Sequence, residues 1–392
     1  MRPFSKEALF IFSKKPAVLV SVYALIAIVA SCQSLIATRY SPKAGWPTLY
    51  NNYVIFKTSF LNLCSQQNLY LAYPSTYYDL YKYSPSFALF MAPFSVMPDW
   101  LGLIVWNLLN ALLLATSVLK LPAIPDRFRA PALWLLVFEA LTSVQNSQSN
   151  ALIAGLILWA FYFITVRRLA LATLLIVIAV FIKPFCLVCF CLFLFYPDKL
   201  RAISWTILWA LVAALLPLLV NTPEQLILQY KNWGELLAWD HDVSTGLSVQ
   251  GWLQTWFNFA PPKNAILATG TLLLLLPLTQ FRKYADSQFR AFYLAALLIW
   301  MVIMNHKAES PTFVIAFAGI LIWYYNTARS AASVSLLIIS FILISLSPGD
   351  LMPVYMREHL VKPYVLKVVP CIGVFGMLIA SMMLSRKTIR RH

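Results

Sequence analysis

Few side chains in this sequence could do chemistry, because only 11% of its residues are charged. Glu139 stands out: it sits inside an apolar run and is followed by Gln145, Asn146, Gln148 and Asn150. An ionisable group at membrane depth costs about 2.5–3.5 kcal/mol even on the forgiving insertion scale. Glu139 therefore either lines a wet site or ties helices together as a protonated or amide-paired carboxyl. Lys183 lies between two apolar segments and could bind an anion or simply snorkel to the interface. His306, Lys307 and Glu309 cluster just before Thr312, and Asp79 sits among Tyr77, Tyr78, Tyr81 and Tyr83. Aromatic faces and hydroxyls suit sugars, and they suit an interfacial aromatic belt equally well. Asp240, His241 and Asp242 could hold a divalent ion, but with no fixed ligand spacing they read more simply as a solvated loop. Of the six cysteines, Cys186 and Cys189 form a CxxC with no His or fourth Cys to complete a zinc site. No metal and no cofactor is expected.

The elements that must position these groups follow from composition. With 61% hydrophobic residues, against the quarter charged that soluble chains carry, water cannot be the solvent of this surface. Apolar runs recur at 17–38, 100–119, 132–144, 151–166, 169–182, 185–195, 203–220, 265–280, 291–304, 312–325, 332–346 and 364–384. The expected fold is all-α, a polytopic transmembrane helical bundle of about 12 membrane helices (11–13), and residues 1–392 form a single membrane domain. The net charge of +16 is scattered in ones to threes and builds no basic stripe with aromatic platforms, which excludes nucleic acid as a partner. It reads as topology signal instead.

Lys14 and Lys15 place residues 1–16 in the cytoplasm and send the first helix outward. At 22 residues the 17–38 stretch exceeds a signal peptide's apolar core of about 7–15 and reads as an anchor, despite a lipoprotein-like Val29-Ala30-Ser31-Cys32. Residues 39–84 then form a large extracytoplasmic loop, 221–262 a second one, and 385–392 a cytoplasmic tail, so both termini lie inside. On this assignment 19 of the 30 Lys and Arg fall on the cytoplasmic side, but only four of the 14 acids do. The apolar segment 85–97 is too short to span and is broken by Pro93, so it reads as a half helix entering from outside, or else as a thirteenth, tilted span. No internal repeat is visible. With this topology drawn, the polar groups collect on the outer side, and Asp79, Glu139, Lys183, His306 and Glu309 are expected to line one outer-facing cavity.

Several short elements occur in a telling order. Asn52-Tyr53-Val54-Ile55-Phe56, Asn68-Leu69-Tyr70, Tyr81-Lys82-Tyr83-Ser84-Pro85 and Met97-Pro98 come first. Asn146-Ser147-Gln148-Ser149-Asn150, Arg167-Arg168, Ala170, Ala172 and Lys183-Pro184 follow. Together they resemble glycosyltransferase family 87, over about residues 50–200 and more weakly from 240 to 325. Each element alone is unspecific; the order and spacing carry the resemblance.

The resemblance implies the C-type membrane glycosyltransferase architecture in a bacterial cytoplasmic (inner) membrane. A polyprenyl-phosphate-linked sugar would enter laterally from the membrane lipid, and a hexose such as mannose would pass with inversion to a glycan or glycolipid acceptor outside. A carboxylate in the first outer loop would deprotonate the acceptor hydroxyl, and Lys183 or Lys307 would serve the departing phosphate. Asn51, Asn52, Tyr81, Tyr83, Glu139, Gln148, Asn150, Lys183, His306 and Lys307 would contact substrate. One departure matters: where the family carries its loop-one aspartate this chain has Asn51 and Asn52, and an amide cannot act as a base. Asp79, the one acid between Arg39 and Ser84, or Glu309 has taken over that role, or the protein binds a lipid-linked sugar without transferring it.

The rival reading is a transporter or flippase for a lipid-linked or small polar substrate, favoured by Glu139 and by a broken helix. Against it, the large loops at 39–84 and 221–262 are both outside and the cytoplasmic connections are short and basic, whereas alternating access would be expected to need polar gating groups on both sides.

Overall fold

Every regular element among the described residues is helical. The computed structural model describes residues 14–40, 47–243, 245–347, 349 and 352–384. Residues 1–13 and 385–392, and the side chains of Asp240, His241 and Asp242, lie outside the described residues. In lipid each backbone N–H and C=O must be satisfied within its own segment, and Leu- and Ala-rich runs do that most cheaply as helix. Among the described residues three helices are long and apolar enough to cross a bilayer, Pro16–Tyr40, Asp99–Lys120 and Lys199–Leu219. Seven shorter apolar helices accompany them, among them Asn150–Thr165, Leu169–Ile182, Ser287–Ile303 and Val368–Leu384.

One of the seven, Pro184–Phe195, is a 12-residue 3-10 helix. At a rise of about 2.0 Å per residue it reaches roughly 24 Å, a third further than an α-helix of equal length. The preceding helix stops at Ile182 because Lys183 stands before a proline, whose ring disfavours helical geometry at the residue ahead of it. Lys183 is accordingly extended, with φ -139° and ψ 114°.

The chain divides into two compact units. The first comprises Met1–Lys120, Ala140–Leu187 and Leu200–Val243. Its core is a row of helices: Asp99–Lys120 packs on Pro16–Tyr40 and on Asn150–Thr165, and the last of these packs on Leu169–Ile182. Gly155 permits this approach, since a Cβ there would lie 2.9 Å from the backbone of Leu113 and Leu114. Small residues serve this purpose generally between membrane helices. Polar glue supplements it where Asn107 Nδ2 donates to Ser31 Oγ at 2.9 Å.

In the second unit (Leu121–Glu139, Val188–Lys199 and Ser244–His392), Ser287–Ile303 packs against Phe313–Asn326 and Val368–Leu384. Every residue from Ala291 to Ile303 is buried, as expected of a helix that is apolar all round. Gly319 lets the two central helices touch, for a Cβ there would meet Ala295 O at 2.7 Å.

The segments 39–84 and 221–262, expected as loops, contain more structure than their polar composition signals. A helix, Asn51–Cys64, forms within 39–84 because Tyr53, Val54, Ile55, Phe56 and Leu63 find a core to bury in. Two more, Pro223–Val243 and Val249–Phe257, occupy 221–262. The segment 85–97 folds as two short pieces, Pro85–Phe90 and Ala92–Ser95. Ser84 caps the first, its Oγ accepting from Phe87 N at 3.1 Å, which satisfies one of the N–H groups a helix start leaves open.

Candidate functional site

In the first unit the candidate groups sit on two tight turns. Asp79 occupies a left-handed conformation with φ 82°, uncommon for a residue with a side chain. Its Oδ1 accepts from Leu80 N at 2.7 Å, and Lys82 Nζ lies 3.2 Å from the same oxygen. The carboxylate is 48% exposed, so it can still meet a substrate. The turn is fixed from the side by Asn51, whose Oδ1 accepts from Tyr78 N at 2.8 Å while its Nδ2 donates to Tyr78 O.

Tyr81 and Tyr83 are placed differently from a pair of open sugar platforms. Tyr81 is fully buried, and its hydroxyl donates to Ser84 O at 2.6 Å. Burial holds this phenol well above its usual range, so it stays protonated. Tyr83 packs edge-on against Phe56 with centroids 4.9 Å apart and lies 5.1 Å from Phe87.

Two residues on the Pro223–Val243 helix close over this loop. Gln229 Oε1 accepts from Leu69 N at 3.1 Å and its Nε2 donates to Gln67 O at 2.7 Å, while Trp233 Nε1 donates to Lys82 O at 3.2 Å. Neither was singled out from sequence, because a Gln and a Trp in a polar loop carry no local signal. At the start of the Asn51–Cys64 helix, Tyr50 donates to Asp99 Oδ2 at 3.3 Å, and Lys57 Nζ sits 2.7 Å from Asp99 Oδ1. Burial, then the Asp99 charge, pushes the Tyr50 phenol up to about 12.

The second turn is Asn146-Ser147-Gln148-Ser149-Asn150. Ser147 is also left-handed, with φ 51°, and its carbonyl accepts from Trp106 Nε1 at 2.9 Å. Asn52 Nδ2 donates to Asn146 O at 2.9 Å. Lys183 Nζ donates to Asn150 Oδ1 at 2.6 Å, and Asn150 Nδ2 donates in turn to Gln148 Oε1. The Asn150–Thr165 helix begins here, and the first N–H groups of a helix have no partner within it. Two of them have side-chain acceptors: Ala151 N donates to Ser143 Oγ at 3.3 Å and Leu152 N to Asn110 Oδ1 at 3.0 Å. The cation beside this turn is the Lys183 ammonium.

The second unit holds its charges in another manner. Glu139 is fully buried, and Lys367 Nζ approaches its Oε1 to 3.7 Å, too far for a hydrogen bond. Neither Glu139 oxygen has a hydrogen-bond partner. Lys367 donates instead to Ser310 Oγ at 2.8 Å and lies over the Phe313 ring, 4.9 Å from its centroid, within the range at which a cation is drawn to an aromatic face. Just before it, Val365 adopts φ 52°, a strained value for a β-branched residue. Sequence reasoning passed over Lys367 because it lies within the apolar run 364–384; a lysine in such a run was the available signal.

His306, Lys307 and Glu309 form a tight turn in the same unit. Lys307 N donates to Asn305 Oδ1 at 2.9 Å, and Ala308 O accepts from Leu247 N at 2.9 Å. Glu309 caps the following helical turn: Glu309 N donates to Thr312 Oγ1 at 3.3 Å, and its side chain accepts from the Thr312 N–H in return, a reciprocal capping box. Asp79, Asn51, Asn52, Tyr81, Tyr83, Gln148, Asn150 and Lys183 thus belong to the first unit, and Glu139, His306, Lys307 and Glu309 to the second. Among the described residues no cluster of three or more His, Cys, Asp or Glu could hold a metal ion.

A comparison with curated proteins gave no match. The profile described as Glycosyltransferase family 87 matches residues 81–348. The matched stretch takes in Glu139, Gln148, Asn150, Lys183 and the 306–309 turn, and it begins after Asn51, Asn52 and Asp79. It covers more than half of the sequence, and on that ground the chain belongs to glycosyltransferase family 87.

Proposed function

We propose that this membrane glycosyltransferase moves a hexose, mannose being the first to try, from a polyprenyl-phosphate donor to an extracytoplasmic glycan or glycolipid hydroxyl, with inversion. The acceptor oxygen forms the new bond to the anomeric carbon and gives its proton to Asp79. The bond from the anomeric carbon to the donor phosphate oxygen breaks with its electron pair, and polyprenyl phosphate leaves toward Lys183. Around this step stands a bundle of about 12 helices in a bacterial cytoplasmic membrane with both termini inside, the arrangement that the division of cations favours.

The observation that carries the reading is Asp79, a half-exposed carboxylate held on a strained turn in the first outer loop, where no other acid occurs. Strain of this kind gathers where geometry is used. Glu309 is the weaker candidate, because its carboxylate is engaged as a helix cap. The test is Asp79→Asn, assayed with labelled polyprenyl-phosphate sugars. Turnover should fall about 10²–10⁴-fold while donor binding is retained; undiminished turnover would remove Asp79 from the mechanism.

One observation favours the transporter reading, the buried Glu139 and Lys367 pair, since paired charges at membrane depth mark ion and substrate pathways. Transport would move intact lipid-linked sugar across liposomes with no sugar released.

A further inference from the structure

The paired asparagines Asn51 and Asn52 have a defined job in the fold. Asn51 grips the peptide of Tyr78 in both directions, accepting from its N–H at 2.8 Å and donating to its C=O. The next residue is Asp79, with φ 82°. Asn52 donates to Asn146 O at 2.9 Å, and the next residue there is Ser147, with φ 51°. Each asparagine thus holds the residue immediately before a left-handed, non-glycine position. Such positions cost of order 1–3 kcal/mol and persist only where their surroundings over-determine them. The first turn carries Asp79, and the second carries the chain Gln148, Asn150 and Lys183.

An amide suits position 51, since its oxygen accepts from an N–H while its NH2 donates to a C=O, and an ionised carboxylate can only accept. A carboxylate there could keep the bond from Tyr78 N but would face Tyr78 O with no proton to give. Asn51 is also only 6% exposed, which suits a clamp better than a group that meets substrate.

We propose that Asn51 and Asn52 are positioning residues: they brace from adjacent helical positions the turn that presents Asp79 and the turn that leads into Asn150, the acceptor of Lys183. The inference rests on the reading of Asp79 as base.

The test uses the full chain in lipid nanodiscs, read by hydrogen exchange and by turnover of a radiolabelled polyprenyl-phosphate hexose. Asn51→Ala should raise exchange across residues 77–80 tenfold or more, and Asn52→Ala should do so across 145–149. Asn51→Asp, nearly the same shape and so least prone to misfold, should lower kcat about 10–100-fold and leave the donor KM within about threefold, as a small misplacement of a reacting group does. Unchanged exchange in Asn51→Ala, or full kcat in Asn51→Asp, would overturn the proposal. Turnover restored by adding Asn51→Asp to Asp79→Asn would overturn it as well, by putting the base at position 51. If the wild type releases no sugar, it is the transferase reading that fails, and the clamp then stands or falls on the exchange result alone.

Discussion

In the first unit Asp79 stands half exposed on a left-handed turn, braced by Asn51 and accompanied by Lys82; in the second, Glu139 is wholly enclosed with Lys367 at 3.7 Å and Ser310 beyond it. Both are carboxylates beside a lysine, and their surroundings give them opposite uses. A carboxylate in contact with solvent can meet a substrate hydroxyl and take its proton. A carboxylate taken out of water depends on its partner, because the desolvation penalty is met only while the opposite charge remains. The pair in the second unit is thus expected to matter for stability and that of the first for turnover.

The sharpest way to break this comparison is to remove Lys367. Lys367→Met should cost about 3–5 kcal/mol in unfolding free energy, since it leaves Glu139 buried and alone, whereas Glu139→Leu combined with Lys367→Met should recover most of that loss. Thermal or denaturant unfolding in detergent measures both. A harmless single change would show that Glu139 is not relying on Lys367. Next in size, Lys183→Ala should weaken donor binding by about 10–100-fold, the equivalent of one charge-assisted hydrogen bond, and cost about 1–3 kcal/mol of stability by leaving buried Asn150 Oδ1 without its donor. Equilibrium binding of a polyprenyl-phosphate sugar reads this directly, and unchanged affinity would transfer the phosphate role to Lys307. Smaller still, Ser84→Ala should cost about 1 kcal/mol through loss of the cap on Pro85–Phe90.

The smallest effect is a pH dependence at Glu358, outside the apolar runs. A hydrogen bond from Lys362, at 2.7 Å, and one from Arg357 hold this carboxyl below its ordinary value of 4.5. A depressed carboxyl contributes stability above its unfolded value and loses it as pH falls through the folded one. Exposed ion pairs contribute little. Glu358→Gln should therefore leave the unfolding temperature unchanged at pH 7 and only slightly flatten its decline below pH 4.5. A large shift at pH 7 would mean that the segment around Glu358 is held more firmly than its exposure implies.

Much of the fold was legible because lipid imposes one rule on every segment: apolar runs of sufficient length become helices. The helix Asn51–Cys64 escaped notice because its apolar residues are interleaved with Asn, Lys, Thr and Ser and lack the run or clean stripe that announces a helix. Of the site, Asp79 could be found by elimination, and Lys183 and Glu139 by the cost of charge at membrane depth. The role of Asn51 could not, since it depends on Tyr78, 27 residues away in sequence and brought close only by the fold. Lys367 was hidden for a similar reason: hydropathy averages a single lysine away among valines and leucines, and its partners Ser310 and Glu139 lie 57 or more residues off.

The most direct test of the central claim is to reconstitute the wild-type protein in liposomes carrying a labelled polyprenyl-phosphate hexose and to follow both the sugar and its lipid. Transfer of the sugar to an outer acceptor, with the anomeric configuration inverted and polyprenyl phosphate left behind, is the expected result. Intact lipid-linked sugar crossing the bilayer without release would contradict it and make the protein a transporter.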